Sequence, residues 1–334
     1  AKFFSPINAF SNPFSDKHRL RLFLGIGFII KTTKNEGKVL DETGQNEAPP
    51  QTGVALQTGP FVIVVGNEKG GAGKTTVSMH LIAALLNAGK RVGAIDLDIR
   101  QRSLSNYIEH RRRWVGRRDI AMPEQILLEA PTGHNIMERQ KQEANAFVNA
   151  LGQLRTRNDF VVIDCPGADS YFARLGHAAA NMLITPMNES FVDFDLLAKV
   201  NPETLTIEAP SIYAEKVWSC RKARAQADGG SIDWVVVRNR TSHIYAKNRQ
   251  RLEEALDELS KRLGFRQVPG LSERVVYREM FPAGLTLLDL TEDETGPGLT
   301  MSHVAARAEL TALLAALQLP GLDVEAVEKA EEAV

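Results

Sequence analysis

Residues 61–76 read FVIVVGNEKGGAGKTT, a short apolar run that leads into a glycine-rich loop. The run Phe61–Val65 is rich in β-branched residues, which is typical of a buried strand. Beyond the loop, Lys74–Asn87 carries apolar side chains at helical spacing, and Gly89 predicts the end of that helix. A glycine-rich loop between a strand and a helix is the setting of a phosphate-binding loop.

The loop has the residue types that phosphate binding requires. Its glycines let backbone N–H groups turn toward an anion, and the helix that follows adds the positive end of its dipole. We predict that Lys74 contacts the β- and γ-phosphates of a nucleotide, that Thr75 binds Mg²⁺ and that Thr76 reaches the α-phosphate. The predicted nucleotide-binding positions of the loop are Gly70, Gly71, Ala72, Gly73, Lys74, Thr75 and Thr76.

Two further predicted strands end in carboxylates. Residues 94–98 read AIDLD, and the two-residue period of an extended chain places Asp96 and Asp98 on the same side. Residues 160–164 read FVVID, four apolar residues that end in Asp164. Ligands bind at the carboxyl ends of parallel strands, and carboxylates there suit Mg²⁺. The alternative for Asp96 and Asp98 is a pair of aspartates that cap a turn.

Short apolar runs and helical patterns alternate from residue 60 onward. The other predicted strands are Arg91–Ile95, Phe160–Ile163, Met182–Thr185 and Trp234–Val237. Such alternation predicts an α/β fold with a doubly wound, mostly parallel sheet flanked by helices. We predict a poorly ordered extension and polar linker at residues 1–59, one domain at 60–318 and an acidic tail at 319–334.

The composition is that of a globular protein, with 334 residues, 43% of them hydrophobic and 24% charged. Lys and Arg number 40 against 41 Asp and Glu, which excludes a generally basic nucleic-acid binder but allows a local basic face. Cys165 and Cys220 are too few for a disulfide framework or a four-cysteine metal site. They favour a reducing, cytoplasmic compartment and ordinary thiols.

The longest apolar run, Leu22–Ile30, has nine residues, whereas a membrane-spanning helix needs about 20. It is consistent with an accessory extension, a weak surface-seeking segment or an export signal. The tail at 319–334 is acidic, and anionic lipid would repel it. We therefore expect no stable membrane anchor.

The segment Lys69–Thr75 reads KGGAGKT, and Glu68 stands where the general phosphate-loop pattern has its first glycine. This loop resembles the deviant Walker A motif of the MinD/ParA family of ATPases. The resemblance implies that Lys69 reaches across a homodimer to the partner's nucleotide, so that dimerisation requires ATP. It also implies that Asp98 orients the attacking water, and that Asp96 and Asp164 support Mg²⁺, mostly through water.

The same resemblance places Asn239, at the end of a predicted strand, against adenine, and the absence of an N-K-x-D motif favours ATP over GTP. Together with residues 185–195 and 281–290, the motifs resemble the MipZ group within this family. That group implies an ATP dimer that inhibits FtsZ polymerisation and binds DNA non-specifically, a monomer recruited by ParB, and a cytoplasmic protein found at the nucleoid and poles. The alternatives are a ParA-type partition ATPase and a metabolic ATP-dependent ligase.

The segment Glu215–Arg278 contains 14 Lys and Arg against 8 Asp and Glu, a local excess of positive charge. Contacts with DNA phosphates need such charge, and the alternative is a solvated surface with internal ion pairs. The candidate DNA-binding residues are Arg221, Lys222, Arg224, Lys247, Arg249 and Arg251.

Overall fold

The computed structural model describes residues 59–114, 120–188, 191–201, 207–239, 246–290 and 300–324. Its strands are β1 (Phe61–Val65), β2 (Val92–Asp96), β3 (Glu124–Ile126), β4 (Phe160–Asp164), β5 (Met182–Asn188), β6 (Ala198–Val200), β7 (Ile207–Pro210), β8 (Asp233–Asn239) and β9 (Arg266–Pro269). Its helices are α1 (Lys74–Asn87), α2 (Ser103–Arg112), α3 (Ile136–Arg155), α4 (Tyr171–Ala179), α5 (Phe191–Phe194), α6 (Ile212–Asp228), α7 (Ala246–Leu263), α8 (Val275–Met280) and α9 (Met301–Leu317).

Seven of the described strands form one sheet in the order β3-β2-β4-β1-β5-β8-β9, and each pairing between them is parallel. The central strand β1 pairs with β4 on one side and β5 on the other. Strands β2, β3 and β4 therefore lie on one side of β1, and the later strands β5, β8 and β9 lie on the other. In an open parallel sheet, ligands bind at the carboxyl ends of the strands where the strand order reverses in this way. The phosphate loop leaves β1 at that point.

Helices cover both faces of the sheet because successive side chains of each strand point in opposite directions. In β1, Val62 and Val64 belong to the apolar cluster with α3, α4, α6 and α7, whereas Ile63 and Val65 belong to the cluster with α1, α2, α8 and α9. All four side chains are buried. The predicted doubly wound α/β fold is therefore confirmed.

The five predicted strands and the first predicted helix are all present, although several strands extend one to three residues further. The sequence did not predict the two edge strands β3 and β9, because their segments EQI and RQVP carry little apolar pattern. A small antiparallel hairpin, β6–β7, was also not predicted. Residues 1–58 and 325–334 lie outside the described residues, so the predicted domain boundaries stay a prediction.

A buried ion pair fixes the segment that follows α8. The guanidinium of Arg111, in α2, makes two hydrogen bonds of 2.6 and 2.7 Å to the Asp289 carboxylate. Their side chains are 0% and 6% exposed, so the pair is desolvated. At Gly284, whose φ is +71°, an added Cβ would lie 2.0 Å from the Arg111 backbone nitrogen. The close approach explains a glycine here.

Candidate functional site

The phosphate loop follows β1 and ends at α1. Gly71 and Gly73 have φ values of +73° and +87°, a left-handed conformation that favours glycine. The Lys74 ammonium donates a hydrogen bond of 2.8 Å to the Lys69 carbonyl, so its charge lies against the loop. Burial lowers the pKa of Lys74, while Asp164, Cys165 and Asp98 act in the opposite direction. The loop thus places a cation beside turned backbone amides, the arrangement that binds phosphate.

Side chains beneath the loop hold its first residues in place. The Tyr213 hydroxyl, on α6, donates to the Gly66 carbonyl over 2.8 Å. The His177 ring lies so close that a Cβ on Gly66 would be 2.5 Å from it. The Asn67 side chain accepts a hydrogen bond from the Lys69 backbone N–H at 2.7 Å and donates to Pro186. The loop is therefore fixed by residues from other elements.

The Asp164 carboxylate lies at the end of β4, under the start of α1. Its two oxygens accept hydrogen bonds from the hydroxyls of Thr75, at 2.7 Å, and Ser78, at 2.9 Å. Burial, followed by the negative charge of Asp96, raises the pKa of Asp164 to about 7. The structure thus brings together two predicted Mg²⁺ residues, Thr75 and Asp164, and adds Ser78, which the sequence motif does not include.

Asp96 and Asp98 occupy the end of β2 and the turn that follows. Asp96 is buried and pairs with Asp164 in the sheet register, and its oxygens accept from the backbone N–H groups of Asp98 and Ser105, both at 2.9 Å. Asp98 accepts from the Gln101 N–H at 3.0 Å. Both aspartates therefore stabilise the turn, as the alternative interpretation expected. Their roles toward Mg²⁺ and water stay a prediction.

Lys69, in the phosphate loop, forms an ion pair outside the loop. Its ammonium lies 3.0 Å from a carboxylate oxygen of Asp193, in α5. The Lys69 side chain is 32% exposed and that of Asp193 is 13% exposed. The loop motif predicts a role for Lys69 but gives no sign of its acidic partner Asp193, which lies far away along the chain.

A second ion cluster joins the loop to α6. Lys216 contacts the carboxylate of Glu68, in the loop, and that of Asp169 at 3.2 Å, in the segment after β4. Glu68 is the residue that replaces the usual glycine, and this ion pair gives it a structural role. Motif reading missed Lys216 because no local pattern marks it.

The Asn239 amide lies between two segments of the site. Its nitrogen donates to the Ala72 carbonyl at 2.9 Å, and its oxygen accepts from the Leu271 N–H at 2.9 Å. Asn239 is buried, and a Cβ on Gly73 would lie 2.6 Å from its nitrogen. The amide therefore joins the phosphate loop to the segment after β9. Its predicted contact with adenine stays a prediction.

Comparison with known proteins settles the family. Residues 61–321 match the family model described as ATPase MipZ. The chain belongs to the MipZ ATPase family. It is 32% identical over 155 residues to the septum site-determining protein MinD of Synechocystis, a match that covers 40% of this chain and 56% of that protein.

A second relative of this MipZ-family chain is the maintenance of carboxysome distribution protein A of Halothiobacillus neapolitanus. The two are 28% identical over 234 residues, which cover 69% of this chain and 88% of that protein. The structure of apo McdA from Cyanothece is similar, with a TM-score of 0.50 and 22% identity over 77% of this chain and 99% of that one. That likeness shows the fold. Together, family and relatives support a ParA/MinD-type ATPase in positioning or partition.

Two of the candidate DNA-binding residues in the MipZ-family chain make contacts within the fold. Arg221 directs its guanidinium inward, to the carbonyls of Ile232, Leu263 and Gly264. Arg224 pairs with Asp228 and also donates to backbone carbonyls after α4. Both guanidinium groups stabilise the packing of α6, and DNA contacts at Arg221 and Arg224 stay a prediction.

The other DNA candidates divide into two groups. Lys222 is exposed on α6. Lys247, Arg249 and Arg251 lie in α7, in the part whose side chains are outside the described residues. These four positions stay predictions.

The two cysteines are buried, and burial raises the pKa of both thiols, that of Cys220 to about 12. High pKa values keep both sulfurs in the unreactive thiol form. No helix in the described ranges is both long and apolar enough to cross a membrane.

Proposed function

We propose that this MipZ-family ATPase is an ATP-dependent switch between a monomer and a homodimer. The observation that carries the proposal is the placement of two lysines in one loop. Lys74 lies against the loop backbone, whereas Lys69 is partly exposed and pairs with Asp193. We assign Lys74 to the chain's own phosphate site, and we assign Lys69, which would exchange its contact with Asp193, to a nucleotide held by a second copy.

The residues of the site fit ATP and Mg²⁺. A Cβ on Gly167 would lie 3.3 Å from the Lys74 ammonium, so the segment after β4 packs closely against the phosphate loop. In the described residues no group of three or more His, Cys, Asp or Glu is arranged to hold a metal alone. Mg²⁺ at Thr75, with Asp96 and Asp164 acting through water, would take its other ligands from phosphate and solvent, as is usual for this ion.

Hydrolysis would use the residues around that site. Mg²⁺ held near Thr75 would supply positive charge against the charge that develops on the phosphates. Lys74 and the partner's copy of Lys69 would stabilise the same charge, and Asp98 would orient the attacking water. Because Lys69 would reach the phosphates only in the dimer, hydrolysis would follow dimerisation and then end it.

The cellular role that we propose is spatial control of cell division. The ATP dimer would inhibit FtsZ polymerisation and bind DNA non-specifically, and the monomer would be recruited by ParB, giving a cytoplasmic protein that associates with the nucleoid and poles. The family match over residues 61–321 supports this role. DNA contacts are proposed at Lys247, Arg249 and Arg251, in α7. Two weak patches in one dimer bind more tightly than one patch.

The switch is tested by the solution mass of three proteins with ADP and with ATP–Mg²⁺. The unsubstituted chain should dimerise transiently with ATP, Asp98→Ala should remain a dimer, and Lys69→Ala should stay monomeric. Lys141→Ala, an exposed lysine on α3, is the matched control and should behave like the unsubstituted chain. A monomer under every condition would refute the proposal and favour a metabolic ligase on this fold.

A second experiment separates division control from partition. FtsZ sedimentation with GTP, measured with the Asp98→Ala dimer, should show less polymer than with ADP-bound monomer. Binding of a duplex DNA at low salt should require the dimer and weaken steeply as salt increases. DNA binding without any effect on FtsZ would instead support a ParA-type partition ATPase.

A further inference from the structure

A groove runs along the outside of α6, away from the phosphate loop. It encloses about 980 Å³ between α6 and the carboxyl end of α7. Pro210, Ala214, Leu263 and Gly264 are among the residues that line it. Trp234, which is buried, also contributes to the lining. The groove is large enough to accept side chains of another molecule.

An exposed tryptophan stands at this groove. The side chain of Trp218 is 62% exposed, although large aromatic groups gain much free energy from burial. The Lys222 ammonium lies 5.6 Å from the centre of the Trp218 ring, which places a cation beside an aromatic surface. Aromatic residues of this kind often anchor protein interfaces.

The groove is positively charged. The described residues that line it include one carboxylate, Glu215, and four cations, which are Arg221, Lys222, Lys261 and Arg262. Arg262 is paired with Glu258 at 2.5 Å, whereas Arg221 donates to backbone carbonyls that carry no net charge. The excess of positive charge remains after that ion pair is counted. A negatively charged ligand therefore complements the groove.

We propose that this groove binds an acidic peptide segment of a partner protein, with one apolar side chain seated against Trp218. The apolar side chain would fill the concave part, and its acidic neighbours would face Lys222 and Lys261. A peptide fits better than duplex DNA, because DNA presents a regular row of phosphates and no apolar side chain that could enter the groove. The inference concerns binding alone and does not depend on nucleotide.

The test uses the full chain without nucleotide and a fluorescein-labelled synthetic peptide of sequence DEDEFLEDED. Two control peptides replace either Phe and Leu by Gly, or all acidic residues by Lys. Fluorescence anisotropy at low salt gives each affinity. The variants are Trp218→Ala and Lys222→Glu, and the matched controls on α3 are Met137→Ala, at a residue 66% exposed, and Lys141→Glu, at an exposed lysine.

We expect the acidic peptide to bind, and each groove variant to weaken that binding by about tenfold, the usual effect of removing an interface anchor. Both α3 variants should bind like the unsubstituted chain, and both control peptides should bind more weakly. Circular dichroism should be unchanged, since both groove residues are exposed. Equal binding by the Gly peptide, or unchanged affinity in both groove variants, would overturn the proposal. Loss of duplex DNA binding by the groove variants, without peptide binding, would assign the surface to nucleic acid instead.

Discussion

The Lys69 ammonium and the Asp193 carboxylate of the same chain form an ion pair of 3.0 Å. Lys69 is the residue that we expect to reach a second copy, so the pair holds it on its own subunit. Since both side chains retain some exposure, the pair stabilises this position by at most about 1 kcal/mol. The dimer that we propose would have to break this contact for Lys69 to reach the second copy.

Asp193→Asn should therefore favour the ATP dimer. Removing the charge of Asp193 weakens the contact that holds Lys69 on its own subunit, and the dimer should form at a protein concentration about two- to fivefold lower. Sedimentation with ATP–Mg²⁺ measures this, with the exposed Asp195→Asn as the control. An unchanged or weaker dimer would show that Asp193 does not compete with the second subunit.

A substitution at Asp98 separates catalysis from turn stability. Asp98→Asn keeps an oxygen that can accept the hydrogen bond from the Gln101 N–H but removes the negative charge. If the carboxylate orients and activates water, ATP hydrolysis should fall by about 10²-fold or more while the ATP dimer persists. Phosphate release and solution mass measure the two effects. Normal hydrolysis by Asp98→Asn would leave only the capping role.

The buried Arg111–Asp289 pair should matter for stability. Arg111→Ala leaves the Asp289 carboxylate buried without its cation and should lower the free energy of unfolding by about 3–5 kcal/mol. Arg112→Ala breaks an exposed pair with Glu109, at 2.5 Å, and should cost less than about 1 kcal/mol. Urea unfolding measures both. Similar losses in the two variants would mean that Arg111 contributes no more than a surface residue.

His80 gives the stability a pH dependence. Burial lowers the pKa of His80 from 6.5 to about 4, with Nδ1 bonded to the Thr76 carbonyl. Between these pH values the unfolded chain binds a proton that the folded chain does not, so this histidine reduces stability as pH falls through 6.5. The free energy of unfolding of the unsubstituted chain, minus that of His80→Gln, should decrease by roughly 2 kcal/mol from pH 7 to pH 5. An equal difference at both pH values would contradict this.

Local patterns predicted the centre of the molecule well. The strands β1, β4 and β5 are buried on both faces, so each is a run of apolar residues that the sequence shows directly. The glycine-rich loop predicts the turn into α1. The contact of Thr75 with Asp164 follows from this topology, since the loop leaves β1 beside the end of β4.

Contacts made by packing were not predictable in this way. The pairing of Lys216 with Glu68 joins residues far apart in the chain, and only the position of α6 brings them together. A count of charges could not show that Arg221 and Arg224 turn inward, because sequence does not give the direction of a side chain. Strand β9 depends on its pairing with β8 and not on its own composition.

The close approach of Gly73 and Asn239 has an evolutionary consequence. A side chain at position 73 would collide with the amide that holds the Ala72 carbonyl, and a smaller residue at position 239 would leave that carbonyl and the Leu271 N–H without this amide. Either exchange alone damages the phosphate loop. Across related chains, these two positions should therefore be inherited together or replaced together.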